Sequence, residues 1–241
     1  MKNYPMQRMK RIKYCQSWIA CFDILGFSEF IKSTQHALVV KLLYDDVLSE
    51  LLGSCNVYSR MCLRIAWFSD TFIIYSVGNQ KHGYTCLQGA AKLFFKKCLF
   101  ANIPTRGAIS FGDFYANRKE GIYYGKALLD AYGTAENQDQ IGLVMTKVAV
   151  DKANEYNVHP ENHGFSSNYK EVSWKENKPI IIDARVYDYC CSQSVFNSLL
   201  SSLDSMKKQA PCSAKKKYDN TIEYLRILKK KRLLHKVKFK R

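Results

Sequence analysis

The sequence predicts an α+β fold, a β-α-β-β-α-β arrangement of the ferredoxin-like type followed by a helical C-terminal extension. Three observations predict it. Trp18 to Phe22 is an apolar run that reads as a buried strand leading into a helix. Met61, Leu63, Ile65 and Trp67 then alternate on one side of a turn, and Thr71-Phe72-Ile73-Ile74-Tyr75 follow on the other, which reads as a hairpin. Gly83 to Phe100 has helical periodicity, at Leu87, Ala90, Ala91, Phe94 and Phe95, and leads to a strand over Pro104 to Gly112.

Further along, Asp113 to Glu120 is polar and irregular, an exposed loop or strand extension. Gly121 to Gly125 leads into a helix through Ala127, Leu128, Ala131 and Tyr132. Ile141 to Thr146 is a short apolar strand, and Val148 to Tyr156 a helix. His159 to Lys178 is polar and rich in turn formers, and Pro179 to Asp183 is another strand. The remainder is mostly helical, broken near Gln209-Ala210-Pro211-Cys212-Ser213. No linker separates these parts. We read residues 15–150 as one catalytic-type domain and 151–241 as an extension packed on it or continuous with it.

The predicted topology places two carboxylates together. In a ferredoxin-like unit the first strand pairs antiparallel with the strand leaving the hairpin, so the end of one lies beside the start of the other. Those ends carry Asp23 and Asp70. Gly26-Phe27-Ser28 opens the helix between them. A glycine there lets backbone approach a ligand, and free N–H groups at a helix start favour phosphate. Two carboxylates beside such a helix start are suited to a nucleoside triphosphate carrying two divalent cations. Taken singly, Asp23 reads as a strand-end cap and Asp70 as a turn residue.

Bulk properties narrow the class. The net charge is +16, but it sits at the ends: five basic and no acidic residues in 1–13, and 14 basic against two acidic in 207–241. The body between is near neutral. A basic tail can touch nucleic acid, lipid or an acidic partner. Tyr218, Ile222, Leu225, Leu228, Leu233 and Leu234 lie roughly at helical spacing, however, so an amphipathic helix with a solvated basic face is preferred and a nucleic-acid role is not expected. No apolar run reaches the length of a membrane span, and no secretory signal is recognisable. Nine scattered cysteines, an odd number, fit a reduced, cytoplasmic chain. His159 and His163 flank Pro160 and read as loop residues rather than metal ligands.

At these residues the chain resembles the class III nucleotidyl cyclases. Their first metal motif is similar to Phe22-Asp23-Ile24-Leu25-Gly26-Phe27-Ser28 at almost every position, and their second metal aspartate lies in a hairpin turn, as Asp70 does about 45 residues further on. Thr105-Arg106-Gly107-Ala108-Ile109-Ser110-Phe111-Gly112 and Gly125-Lys126-Ala127-Leu128-Leu129-Asp130-Ala131-Tyr132 resemble later family motifs. There are departures. Ala66 and Ile122 stand where the family reads a purine, and Leu129 and Gly133 where it places a ribose-positioning asparagine and a transition-state arginine.

The pyrimidine cyclases of Pycsar antiphage defence systems are a branch with altered residues at such positions. They are similar at Asp130-Ala131-Tyr132, Gln138, Ile141-Gly142 and Lys217-Tyr218-Asp219-Asn220-Thr221. The resemblance implies a cytoplasmic homodimer that cyclises UTP or CTP to cUMP or cCMP, a product that activates a separate effector. It implies two Mg²⁺ or Mn²⁺ ions per site on Asp23, Asp70 and the Ile24 carbonyl, with Gly26, Phe27 and Ser28 on the phosphates. For the cation that stabilises the transition state, Arg106, Lys126 and Arg64 are candidates in that order. The alternatives are an adenylate or guanylate cyclase with a rebuilt base pocket, or a degenerate nucleotide-binding module.

Overall fold

The computed structural model describes residues 14–27, 49, 62–158, 165–166, 181–183 and 193–238. Its strands are β1 (Cys15–Ile24), β2 (Leu63–Phe68), β3 (Thr71–Ser76), β4 (Thr105–Asn117), β5 (Ile122–Tyr124), β6 (Leu143–Met145), β7 (Phe165–Ser166) and β8 (Ile181–Asp183). Its helices are α1 (Lys81–Phe100), α2 (Lys126–Glu136), α3 (Lys147–Glu155), α4 (Gln193–Gln209) and α5 (Cys212–Lys238). The sheet runs β2-β3-β1-β4-β6-β8-β7, with β5 paired to the outer end of β4.

The first four strands have the order and the antiparallel pairing of the predicted ferredoxin-like unit. Between β1 and β2 the described residues are Leu25 and Gly26, which turn, Phe27, which begins a helix, and Ser49 and Cys62, which are also helical. The sheet with its α1 and α2 layers, and the helical C-terminal part, make the fold α+β.

β1 is central because it is apolar on both faces. Trp18, Ala20, Phe22 and Ile24 point into the larger core, with Tyr84, Leu87, Phe94 and Phe95 of α1. The Phe94 ring stacks on Phe72 at 4.1 Å and tilts against Phe22 at 4.7 Å. Ile19 and Cys21 point the other way, into a second cluster with Ile73, Tyr75 and Phe114. That face is covered by α2, whose Ala127, Ala131 and Ala135 are fully buried. At a spacing of four they form one helical row, and small side chains let the helix lie close to the sheet.

Several boundaries differ from the sequence reading. β1 begins three residues earlier than the apolar run, since Cys15, Gln16 and Ser17 pair with Phe114, Asp113 and Gly112. Of the two readings of the polar stretch from Asp113, loop or strand extension, the structure has the extension as far as Asn117, because Asp113 and Phe114 pair with β1 and Tyr115–Asn117 with β5. The C-terminal break falls at Ala210–Pro211, where expected. The first thirteen residues and His159 and His163 lie outside the described residues.

Candidate active site at the end of the central strands

Asp23 continues the row Ile19, Cys21 on the α2 face of β1, at the strand's last turnout from the sheet. Its cross-strand neighbours are Thr71 at the start of β3 and Arg106 near the start of β4. Paired residues on neighbouring strands share a face. The Arg106 Nε donates to Asp23 Oδ2 at 2.6 Å, and both side chains are only 12% exposed. The other arm of the guanidinium donates from NH1 to the backbone carbonyl of Glu136, the last residue of α2. Arg106 thus ties the carboxylate to the C-terminus of α2, where exposed carbonyls favour a cation.

Asp70 is placed by the hairpin. Phe68 and Thr71 are the last pair of β2 and β3, leaving Ser69 and Asp70 as a two-residue loop. Ser69 takes the required positive φ, 54°, and its carbonyl accepts from Trp67 Nε1 at 2.6 Å. The Asp70 carbonyl accepts from Ile24 N at 3.3 Å, which seats the loop against the residue after Asp23. The loop that carries Asp70 thus lies beside the end of β1 that carries Asp23. Tyr132 of α2 registers both: its phenol is held above the ordinary tyrosine range, by Glu136 first, then by burial, then by Asp23 and Asp70.

The chain leaves β1 through Leu25, whose N–H donates to the Pro104 carbonyl at 2.8 Å, and then Gly26 at φ 74°. Open space is not what demands glycine there, since a Cβ would meet Pro211 Cδ at an ordinary 3.7 Å; the left-handed backbone is. Phe27 is buried and begins the helix. Ser28 lies outside the described residues.

Two further candidates sit elsewhere. Lys126 opens α2 next to Ala127, which packs under Gly112, and so stands at the opposite end of the helix from Glu136. Over the eleven residues of α2 that is about 15 Å. Arg64 is on the site's face of the sheet but pairs with Tyr75, four registers from Thr71, about 13 Å along the strand. Its NH1 donates to the Leu63 carbonyl.

Lys217, given no role by the sequence reading, arrives from α5. Its Nζ donates to the Gln138 carbonyl at 2.8 Å. Burial and the nearby Arg106 push its amine below the ordinary lysine range, against an opposing pull from Asp139, Asp23 and Glu136. The signal was there to find: Lys217, Asn220 and Thr221 lie at helical spacing, a polar row beside the apolar Tyr218, Ile222 and Leu225.

Among the described residues no group of three or more His, Cys, Asp or Glu gathers to hold a metal. A set of two carboxylates and nearby backbone carbonyls still suits Mg²⁺, which is commonly bound by one or two carboxylates with the rest supplied by water and substrate phosphates. By donor type Asp23 and Asp70 suit a divalent ion brought with a nucleotide, which would have to displace Arg106 from the Asp23 carboxylate.

No protein-family model matches the chain, and no curated protein matches it. Among solved structures it is similar to the guanylyl cyclase Cya2, at 12% identity over 70% of this chain and 90% of that one, with a TM-score of 0.49. It is also similar to the catalytic core of a rhodopsin-guanylyl cyclase with converted specificity in complex with ATPalphaS (12% identity, 73% of this chain and 100% of that one, TM-score 0.49). A third is the adenylate/guanylate cyclase/hydrolase from Silicibacter pomeroyi (13% identity, 70% and 95%, TM-score 0.45). No helix among the described residues is long and apolar enough to cross a membrane.

Proposed function

We propose that this chain is a nucleotidyl cyclase that converts UTP or CTP to cyclic UMP or cyclic CMP and pyrophosphate. The observation that carries the reading is the hydrogen bond from Ile24 N to the Asp70 carbonyl, which sets the Asp70 loop against the end of β1 that carries Asp23, next to the left-handed Gly26 turn. In the reaction the ribose 3′-oxygen bonds to the α-phosphorus, the bond from that phosphorus to the β-bridging oxygen breaks, and the 3′ proton leaves to water. Asp23, Asp70 and the Ile24 carbonyl would hold two Mg²⁺ or Mn²⁺ ions, which would acidify the 3′-hydroxyl and neutralise charge on the triphosphate.

The chain's own groups do the rest. The N–H groups of Gly26, Phe27 and Ser28 bind the β- and γ-phosphates at the start of a helix. Arg106 would serve in two arrangements, of which the structure has the first. Without nucleotide it neutralises Asp23; with nucleotide it turns its guanidinium to charge building on the α-phosphate. Ala66 and Ile122, at the purine-reading positions of the family the sequence resembles, disfavour a purine. The homodimer follows from the resemblance of the sequence to class III cyclases. The cyclic product would act on a separate effector in antiphage defence.

The test is incubation of the purified chain with each of the four ribonucleoside triphosphates and Mn²⁺, with mass spectrometry of the products. A cyclic pyrimidine monophosphate that disappears with Asp70→Asn supports the reading. Cyclic AMP or cyclic GMP instead would replace it with a rebuilt purine pocket. Metal-dependent binding of UTP or CTP without turnover would replace it with a degenerate binding module.

A further inference from the structure

The C-terminal helix reaches the candidate site at two places. At its start, Pro211 lies against Gly26, and Ala214 and Tyr218 join Leu25, Gly26 and Pro104 around a cavity of about 130 Å³. One turn further on, three side chains clasp the segment after α2. Lys217 Nζ donates to the Gln138 carbonyl at 2.8 Å, Asn220 Nδ2 donates to the Asp139 carbonyl at 2.7 Å, and Thr221 Oγ1 accepts from Ile141 N at 2.9 Å. That segment is bound in turn to β4 beside Arg106: Gln138 Nε2 donates to the Gly107 carbonyl, and Gly107 N donates to the Gly142 carbonyl, both at 2.8 Å.

Lys217 is therefore carried on the stretch of helix that joins the Gly26 turn to the Arg106 cluster. It and Arg106 grip carbonyls two residues apart, those of Gln138 and Glu136. An ammonium has three donors, and this bond uses one of them. A triphosphate running from Asp23 to Gly26 would pass along the edge where α5 lies. Holding a carbonyl at the end of α2 needs only a hydrogen bond, which a neutral donor would supply without the desolvation of a charge.

We propose that Lys217 is a phosphate-binding residue of the site, its ammonium contacting the β- and γ-phosphates and the pyrophosphate they become on leaving. The C-terminal helix is on this view part of the active site rather than an appendage to it. The inference rests on the proposed triphosphate site but not on turnover, because pyrophosphate can be bound without reaction.

The experiment is calorimetric titration of the whole chain with magnesium pyrophosphate, for the unaltered protein, Lys217→Met and Lys217→Arg, with melting temperatures and, for protein that turns over, kcat and KM. We expect Lys217→Met to weaken pyrophosphate binding about tenfold or more while Lys217→Arg, which keeps the charge, recovers most of it. A Lys217→Met protein that melts lower but binds pyrophosphate unchanged would make Lys217 a helix-end clasp and overturn the proposal, leaving the cyclase reading in place. If the unaltered protein binds no pyrophosphate yet cyclises a nucleotide, an unchanged kcat/KM in Lys217→Met overturns it equally. If it neither binds pyrophosphate nor turns over any triphosphate, both readings fall together.

Discussion

Asp23 and Asp70 share a proposed task but not an environment, and their amide variants separate chemistry from folding. Asp70 lies in a two-residue loop and contributes its backbone carbonyl, which Asn would keep, to Ile24. Asp70→Asn is expected to abolish turnover with an unchanged melting temperature. Asp23 neutralises a guanidinium at 12% exposure, so Asp23→Asn should abolish turnover and also lose about 1–3 kcal/mol, below the range for a fully buried pair. Equal melting temperatures in the two variants would show that the ion pair contributes nothing. Arg106→Gln reverses the situation and leaves a carboxylate without its counter-ion. That variant should unfold more easily without metal, and Mn²⁺ should raise its melting temperature more than it raises that of the unaltered chain, because the ion no longer competes with Arg106 for Asp23. A Mn²⁺ response no larger than that of the unaltered chain would argue against Asp23 as a metal ligand. The placement of Asp23 at the end of β1 and of Asp70 in the β2–β3 loop was legible in the sequence because each follows an apolar run. The Asp23–Arg106 pair was not, since it depends on the register of β1 with β4, which no local pattern fixes.

At the scale of elements, what could be read was what is set locally. The β2–β3 hairpin shows in its alternation, α1 in its period, and the break between α4 and α5 in Pro211. The clasp of α5 on 138–141 joins residues about 80 apart in sequence, and its donors carry no periodicity that names a partner. The end of β4 was left open between loop and strand extension for a similar reason: Asp113 and Asn117 are polar, but their pairing is decided by β1 and β5. Gly107 shows how tightly β4 is held at the site. A Cβ there would come within 2.6 Å of Phe22 Cε1 and 3.2 Å of the Cys21 carbonyl oxygen. Phe22 is fully buried and packed on Phe94, so it has little room to yield. Gly107→Ala is expected to lose about 1–3 kcal/mol by overpacking, read as a lower urea midpoint, and to lower turnover by shifting the adjoining Arg106. An unchanged midpoint would mean that β1 and β4 can separate at this point without loss.

Over the whole molecule, the two apolar clusters on either face of the sheet give the chain a pH response. Burial first and the Asp23 charge second push the Cys21 thiol up to about 12, from 9.0. Burial does the same to Cys98, also to about 12, and raises the Tyr218 phenol from 10.0 to about 12. These acids keep their protons in the folded state over a range in which the unfolded chain releases them. Their contribution to stability is complete below about pH 9 and declines as pH rises, by about 1.4 kcal/mol per pH unit for each thiol between its unfolded and folded values. Loss of lysine charge at high pH acts in the opposite sense, by relieving self-repulsion in a chain of net charge +16. A single-site variant distinguishes the two. Urea unfolding between pH 8 and pH 10.5 should show falling stability in the unaltered chain and a shallower fall in Cys98→Ala, with the lysine effect common to both. Cys98→Ala will start lower, because it leaves a cavity in the larger core, so the comparison is of slopes rather than of values. Parallel slopes would mean that the Cys98 thiol ionises as readily in the folded chain as in the unfolded one, and that the core beneath β4 is open to water.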